Sequence, residues 1–122
     1  ARHALHLQDV FPSFRLLEAL RLQDAEGAAY GAYSEIGGLA PPGLMLVSYA
    51  RGADARDALR RYEEGCGEEG ESADGPAGVS VFRLDEESFT AAVREGADLV
   101  VSVYAKSAAE AVRLVESVPR RQ

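Results

Sequence analysis

The chain has 122 residues, of which 47% are hydrophobic and 27% are charged. This balance is typical of a globular protein and excludes extensive disorder and fibrous repeats. Acidic residues outnumber basic ones by 20 to 13, which gives a net charge of −7. Nucleic acid and membrane surfaces are therefore not expected as partners, because both are bound through basic surfaces.

Length and cysteine content indicate the general class of the protein. A chain of this size predicts a single domain over residues 1–122. No stretch approaches the roughly 20 apolar residues of a membrane span. Cys66 is the only cysteine, so an internal disulfide is excluded. This favours a reducing compartment, and we expect a cytoplasmic protein.

The N-terminal portion, residues 1–43, has the less regular pattern. A short strand is predicted over residues 4–10 and a helix with a wide apolar face over residues 14–25. Residues 28–36, which include Tyr30 and Tyr33, are predicted as a strand or an ordered loop. The glycine- and proline-rich residues 37–43 are typical of a turn-rich connection.

Three strand-then-helix units are predicted after this portion. Apolar runs at residues 44–49, 79–84 and 99–104 indicate strands, and an apolar spacing of three and four residues follows each of them. The second helix would start at Asp85 and end at Gly96. The third would start at Ser107, which forms a capping box with Glu110.

Alternating strands and helices predict an α/β fold: a small open sheet with a parallel βαβαβα core and helices on its faces. The strands at 44–49 and 99–104 would be central, parallel neighbours, because they are apolar at nearly every position. The strand at 79–84 would lie at an edge. The alternative is an α+β ferredoxin-like sandwich, which antiparallel pairing of the two central strands would indicate.

Residues 63–78 are predicted to form an acidic, flexible loop. Between 63 and 74 there are six acidic side chains and no basic one. Like charges repel each other, and the interspersed glycines favour disorder. Residues 65–70 formally fit G-x-G-x-x-G, but the motif follows a helix and carries Glu68 and Glu69, which would repel a pyrophosphate.

No cofactor or metal is expected. There is no phosphate-binding P-loop sequence, and His3 and His6 are too few to form a metal site without further ligands. Cys66 lies among glutamates, which raise the pKa of a thiol, so it is not expected to act as a nucleophile.

The candidate ligand-binding residues lie at the strand-to-helix junctions. In open parallel sheets, ligands bind beyond the carboxyl ends of the strands, where helix N-termini favour anions. Arg51 and Lys106 would then face one crevice and share an anion. The full candidate set is Tyr49, Arg51, Asp85, Tyr104, Lys106 and Ser107.

Two functions follow from this pattern. The first is a small ligand-binding or protein-interaction domain with a regulatory role and no catalytic activity of its own. Its partner would be another protein or a small anionic ligand, with a homo-oligomer as a further option. The alternative is a small enzyme acting on an anionic metabolite, with Lys106 or Tyr104 as acid or base and Arg51 orienting the substrate. A single pocket lined by the candidate residues would favour the enzyme.

Overall fold

The computed structural model describes residues 14–32 and 42–118. In chain order, the elements are α1 (Phe14–Ala19), a 3-10 turn (Leu22–Asp24), β1 (Ala25–Ala32), β2 (Gly43–Tyr49), α2 (Gly52–Glu69), β3 (Glu71–Ala73), β4 (Val79–Asp85), β5 (Ser88–Glu95), β6 (Asp98–Ala105) and α3 (Ala108–Glu116). The predicted strand at 4–10 lies outside the described residues, as does most of the connection at 37–43.

The architecture is α+β, with one open six-stranded sheet in the order β1-β2-β6-β5-β4-β3. Each strand pairing is antiparallel. The predicted parallel core is therefore wrong, although β2 and β6 are neighbours as expected. The α+β class of the alternative is observed, but four consecutive strands, β3 to β6, pair in sequence. That is not the β-α-β-β-α-β order of a ferredoxin-like sandwich.

The helix predicted between Asp85 and Gly96 is instead strand β5. Two-residue turns, at Glu86–Glu87 and at Gly96–Ala97, connect β5 to β4 and to β6. Gly96 has φ of 64°, a left-handed conformation that glycine adopts readily and that suits a tight hairpin. These hairpins leave no room for a crossover helix, so the strands must run antiparallel.

The acidic segment is more ordered than its charge suggests, and the predicted loop over residues 63–78 is wrong for residues 63–69 and 71–73. Residues 63–69 continue α2, where Gly65 and Cys66 are buried against the core. Residues 71–73 then form β3, which pairs with Val81–Arg83 of β4. The strand predicted as an edge, β4, therefore lies one position inside the edge.

Helices cover both faces of the sheet. On one face, α1 and α2 bury an apolar cluster that includes Met45, Val47 and Val101. On the other face, Ala111, Leu114 and Val115 of α3 pack over β4, β5 and β6. The described elements leave Leu44 and Leu46 of β2 half-buried on that second face. The helices of the described residues include none that is long and apolar enough to cross a membrane.

The first helix is shorter than predicted because the backbone turns sharply after it. Arg21 has φ of 51° and ψ of 58°, so the α-helical path cannot continue through it. The next residues form the 3-10 turn and then β1. The segment predicted as strand or loop at 28–36 is a strand up to Ala32, and its remainder lies outside the described residues.

Candidate functional site

The antiparallel sheet separates the candidate residues into two groups. Gly43 at the start of β2 pairs with Val103, and Ser48 near its end pairs with Asp98. Tyr49 and Arg51 therefore lie at one end of the sheet, whereas the junction after β6 lies at the other. The expectation that Arg51 and Lys106 share one crevice is wrong, because it required parallel strands.

At the first end, Tyr49 has a structural role. It is 3% exposed, and its hydroxyl donates a hydrogen bond to the carbonyl of Leu20, just after α1. Burial raises the pKa of Tyr49 to about 12. The phenol is therefore neutral at physiological pH and unsuited to act as a base there.

Arg51 precedes α2 and binds a carboxylate of the first helical turn. Its terminal nitrogen lies 3.1 Å from Asp54 Oδ1, and its Nε lies 3.3 Å from Oδ2. This hydrogen bond, with the charge of Asp54, raises the pKa of the Arg51 guanidinium. The pair is exposed, and it explains how a cation is accommodated next to a helix N-terminus, where the dipole disfavours it.

At the opposite end of the sheet, Tyr104 lies near the end of β6 and has φ of 59°. A tyrosine in the left-handed region is an unusual and strained conformation. Between Ser102 and Ala105, β6 has two residues where β5 has only Thr90, which forms a bulge. Burial and the nearby Asp85 carboxylate raise the pKa of Tyr104. Asp85 pairs with Ser88, and the next residue, Phe89, pairs with Ala105, so Asp85 and Tyr104 lie at the same end of the sheet.

Lys106 and Ser107 directly precede α3, and their backbone and side-chain groups cap its N-terminus. Ser107 is the N-cap, and its Oγ accepts a hydrogen bond of 3.1 Å from the Glu110 backbone N–H. Glu110 Oε1 accepts a 2.6 Å bond from the backbone N–H of Lys106. The predicted capping interaction of Ser107 is confirmed, with the return bond one residue earlier than in a standard capping box. Lys106 Nζ lies 3.4 Å from the Tyr104 carbonyl.

A cleft near the end of β2 contains residues that the sequence did not single out, and we name it the Arg61 cleft. It has a volume of about 330 Å³ and is lined by Arg21, Asp24, Tyr49, Asp54, Asp57 and Arg61. Of these, only Tyr49 belongs to the set of ligand-binding residues predicted from the sequence. The spacing of Asp54, Asp57 and Arg61 along α2 places them on one helix face, which is a signal in the sequence. The approach of α1 is a tertiary contact that no local pattern reveals.

Arg61 is fixed in place by the first helix. Its Nε donates a 2.9 Å hydrogen bond to the carbonyl of Ala19, the last residue of α1. Together with the bond from Tyr49 to Leu20, this satisfies two consecutive carbonyls that a helix end leaves without internal partners. One wall of the cleft is thus held by hydrogen bonds from both β2 and α2.

Cys66 is buried in α2 and lies next to Tyr62. Burial raises the pKa of the thiol to about 12, which makes it a poor nucleophile. Among residues 14–32 and 42–118, no group of three or more His, Cys, Asp or Glu side chains is arranged to hold a metal ion. No protein-family model, curated protein or solved structure matches this chain.

Proposed function

We propose that this protein is a non-catalytic protein-interaction module that associates through the outer edge of β1. The observation that carries the proposal is the position of this eight-residue strand, which pairs with β2 on one side and ends the sheet. The outer backbone N–H and C=O groups of an edge strand are a template for another strand. No other strand of the described part of the chain covers that edge.

The two edges of the sheet differ in ways that favour β1. The opposite edge, β3, has three residues and carries Glu71, which is paired with Arg83. Short, charged strands are a common protection against edge pairing. In β1 the only charged residue is Glu26, and Gly27, Ala28 and Ala29 are exposed. A register shift between Ala25 and Gly27 disturbs only the start of the strand.

A second copy of the chain is the partner that fits this edge best. Two β1 strands pair antiparallel about a two-fold axis when a residue such as Ala28 faces its own copy. Glu26 then lies opposite Tyr30 of the second copy, so the acidic side chains do not face each other. The net charge of −7 makes two molecules repel. Contact along β1, where Glu26 is the only charged residue, adds little to this repulsion.

The alternative, an enzyme acting on an anionic metabolite, receives less support. It required Arg51 and Lys106 to act on one substrate, and the antiparallel pairing of β2 with β6 separates them. Tyr104 and Lys106 do lie close together, but their conformations are accounted for by the bulge and by the start of α3. These observations favour binding over catalysis.

Sedimentation velocity over a range of protein concentrations tests the proposal. We expect a reversible dimer whose dissociation constant is raised at least tenfold by Ala28→Glu, because two carboxylates would then face each other across the axis. Ala28→Gln is the matched control of similar size without the charge, and it should weaken the dimer less. A monomer at the highest attainable concentration, or equal dimerisation by both variants, would overturn the proposal.

A further inference from the structure

The Arg61 cleft combines a fixed cation with loosely held carboxylates. From this arrangement we infer that it binds a small zwitterion of amino-acid size, with a carboxylate on Arg61 and an ammonium group on Asp24 and Asp57. The lining residues of the cleft lie outside β1, and the inference does not depend on self-association.

Arg61 has the donors to bind a carboxylate. Its Nε is used by the Ala19 carbonyl at 2.9 Å. Within the described residues, its two terminal nitrogens make no hydrogen bond or ion pair with another side chain. A guanidinium binds a carboxylate through two parallel hydrogen bonds, and an arginine held in place loses little freedom when it does so.

The carboxylates of the cleft are engaged to different degrees. Asp54 is hydrogen-bonded to Arg51 at 3.1 Å. Asp57 lies 3.6 Å from Arg60, and Asp24 lies 3.9 Å from Arg21. These two separations exceed ordinary hydrogen-bond lengths. Both side chains are about half exposed, so their oxygens remain accessible to an ammonium group.

Charge and size together narrow the ligand class. The lining residues comprise two arginines and three aspartates, so a simple anion is opposed by the carboxylates and a simple cation by the guanidinium groups. A zwitterion can place its carboxylate beside a guanidinium group and its ammonium group beside the carboxylates. The volume of about 330 Å³ lies at the lower end of the ~300–1,000 Å³ range of ligand pockets, which favours a ligand smaller than a nucleotide.

Titration of isotope-labelled protein, followed by amide chemical shifts, tests this inference. The probes are glycine, L-alanine and L-arginine, with acetate and methylammonium as controls that each carry only one of the two charges. We expect at least one amino acid to shift the amide signals of residues 21–24 and 57–61, and to bind at least tenfold more tightly than either control. Acetate binding as tightly as the amino acids, or no shift with any probe, would overturn the inference.

Asp57→Asn, with Arg113→Gln as its control, tests ligand binding without disturbing the fold. Because Arg61 also holds the end of α1, Arg61→Gln changes both binding and local structure. Asp57→Asn leaves the bond between Arg61 and Ala19 intact, and we expect it to weaken amino-acid binding at least tenfold. Arg113→Gln, on the exposed side of α3, is the control and should have no effect. Unchanged affinity in Asp57→Asn would contradict the assigned ammonium site.

Discussion

The hydroxyl of Tyr49 donates a hydrogen bond to the carbonyl of Leu20, which lies 29 residues earlier in the chain. This bond attaches the end of α1 to the end of β2. We expect Tyr49→Phe to lower the free energy of unfolding by about 1–3 kcal/mol, because a buried carbonyl loses its partner. Urea denaturation measures the change. Tyr30→Phe is the control at a half-buried tyrosine of β1 and should cost less; an equal loss would contradict the role of the Leu20 bond.

The same tyrosine predicts a loss of stability at alkaline pH. The pKa of Tyr49 is raised from 10.0 to about 12 by burial. The unfolded chain releases this proton first, so the contribution is fully present below about pH 10 and is lost as the pH rises towards 12. We expect Tyr49→Phe to have a shallower alkaline decline in melting temperature than the wild type. Parallel declines would show that Tyr49 does not titrate differently on folding.

The positive φ of Tyr104 predicts an unusual order of substitution effects. At φ of 59°, alanine carries the left-handed penalty of roughly 1–2 kcal/mol, which glycine largely avoids. We therefore expect Tyr104→Gly to be more stable than Tyr104→Ala by about 1 kcal/mol. Tyr30, in β1, gives the matched pair in an ordinary strand, where the glycine variant should be the less stable one. The same order at both positions would contradict the strained bulge.

Substitution of Ser107 distinguishes the ligand-binding role predicted from the sequence from a role in stabilising α3. Its Oγ accepts the Glu110 N–H at 3.1 Å, so Ser107→Ala should cost about 0.5–2 kcal/mol. Ser107→Asp preserves the cap and should retain most of the stability. Both are measured by thermal denaturation. If Ser107→Ala had no effect on stability, the cap would not be significant and a ligand role would gain support.

Cys66 is expected to be chemically inert in the folded protein. The buried thiol, with a pKa of about 12, is almost entirely protonated at neutral pH, and the thiolate is the reactive form. A colorimetric disulfide reagent should react slowly with native protein and rapidly after unfolding. Rapid modification of the native protein would show that the C-terminal half of α2 opens readily.

Sequence patterns identified strands β2, β4 and β6 and the start of α3, but they predicted β5 as a helix and did not determine strand direction. Phe89, Ala92 and Val93 are spaced as on one face of a helix, yet they lie on a strand that is buried on both faces. In an apolar run as short as residues 89–93, a period of 2 cannot be distinguished from one of 3.6. The short turn at Gly96 was the better signal, because a two-residue connection allows only an antiparallel neighbour.

The candidate site followed from the predicted direction of the strands. Parallel β2 and β6 strands would place Arg51 and Lys106 together, whereas the observed antiparallel pairing separates them. Arg61 was missed for a different reason. Its partner, the Ala19 carbonyl, is 42 residues away, and local spacing contains no information about such a contact.

Amide hydrogen exchange of β1, measured at low and high protein concentration, is the most direct test of association through this edge. We predict that the outward-facing backbone amides between Glu26 and Gly31 exchange more slowly as concentration rises, because the second copy accepts their hydrogen bonds. Amides in the buried α2 turn around Tyr62 should exchange at the same rate at both concentrations. Concentration-independent exchange throughout β1 would contradict self-association through this edge.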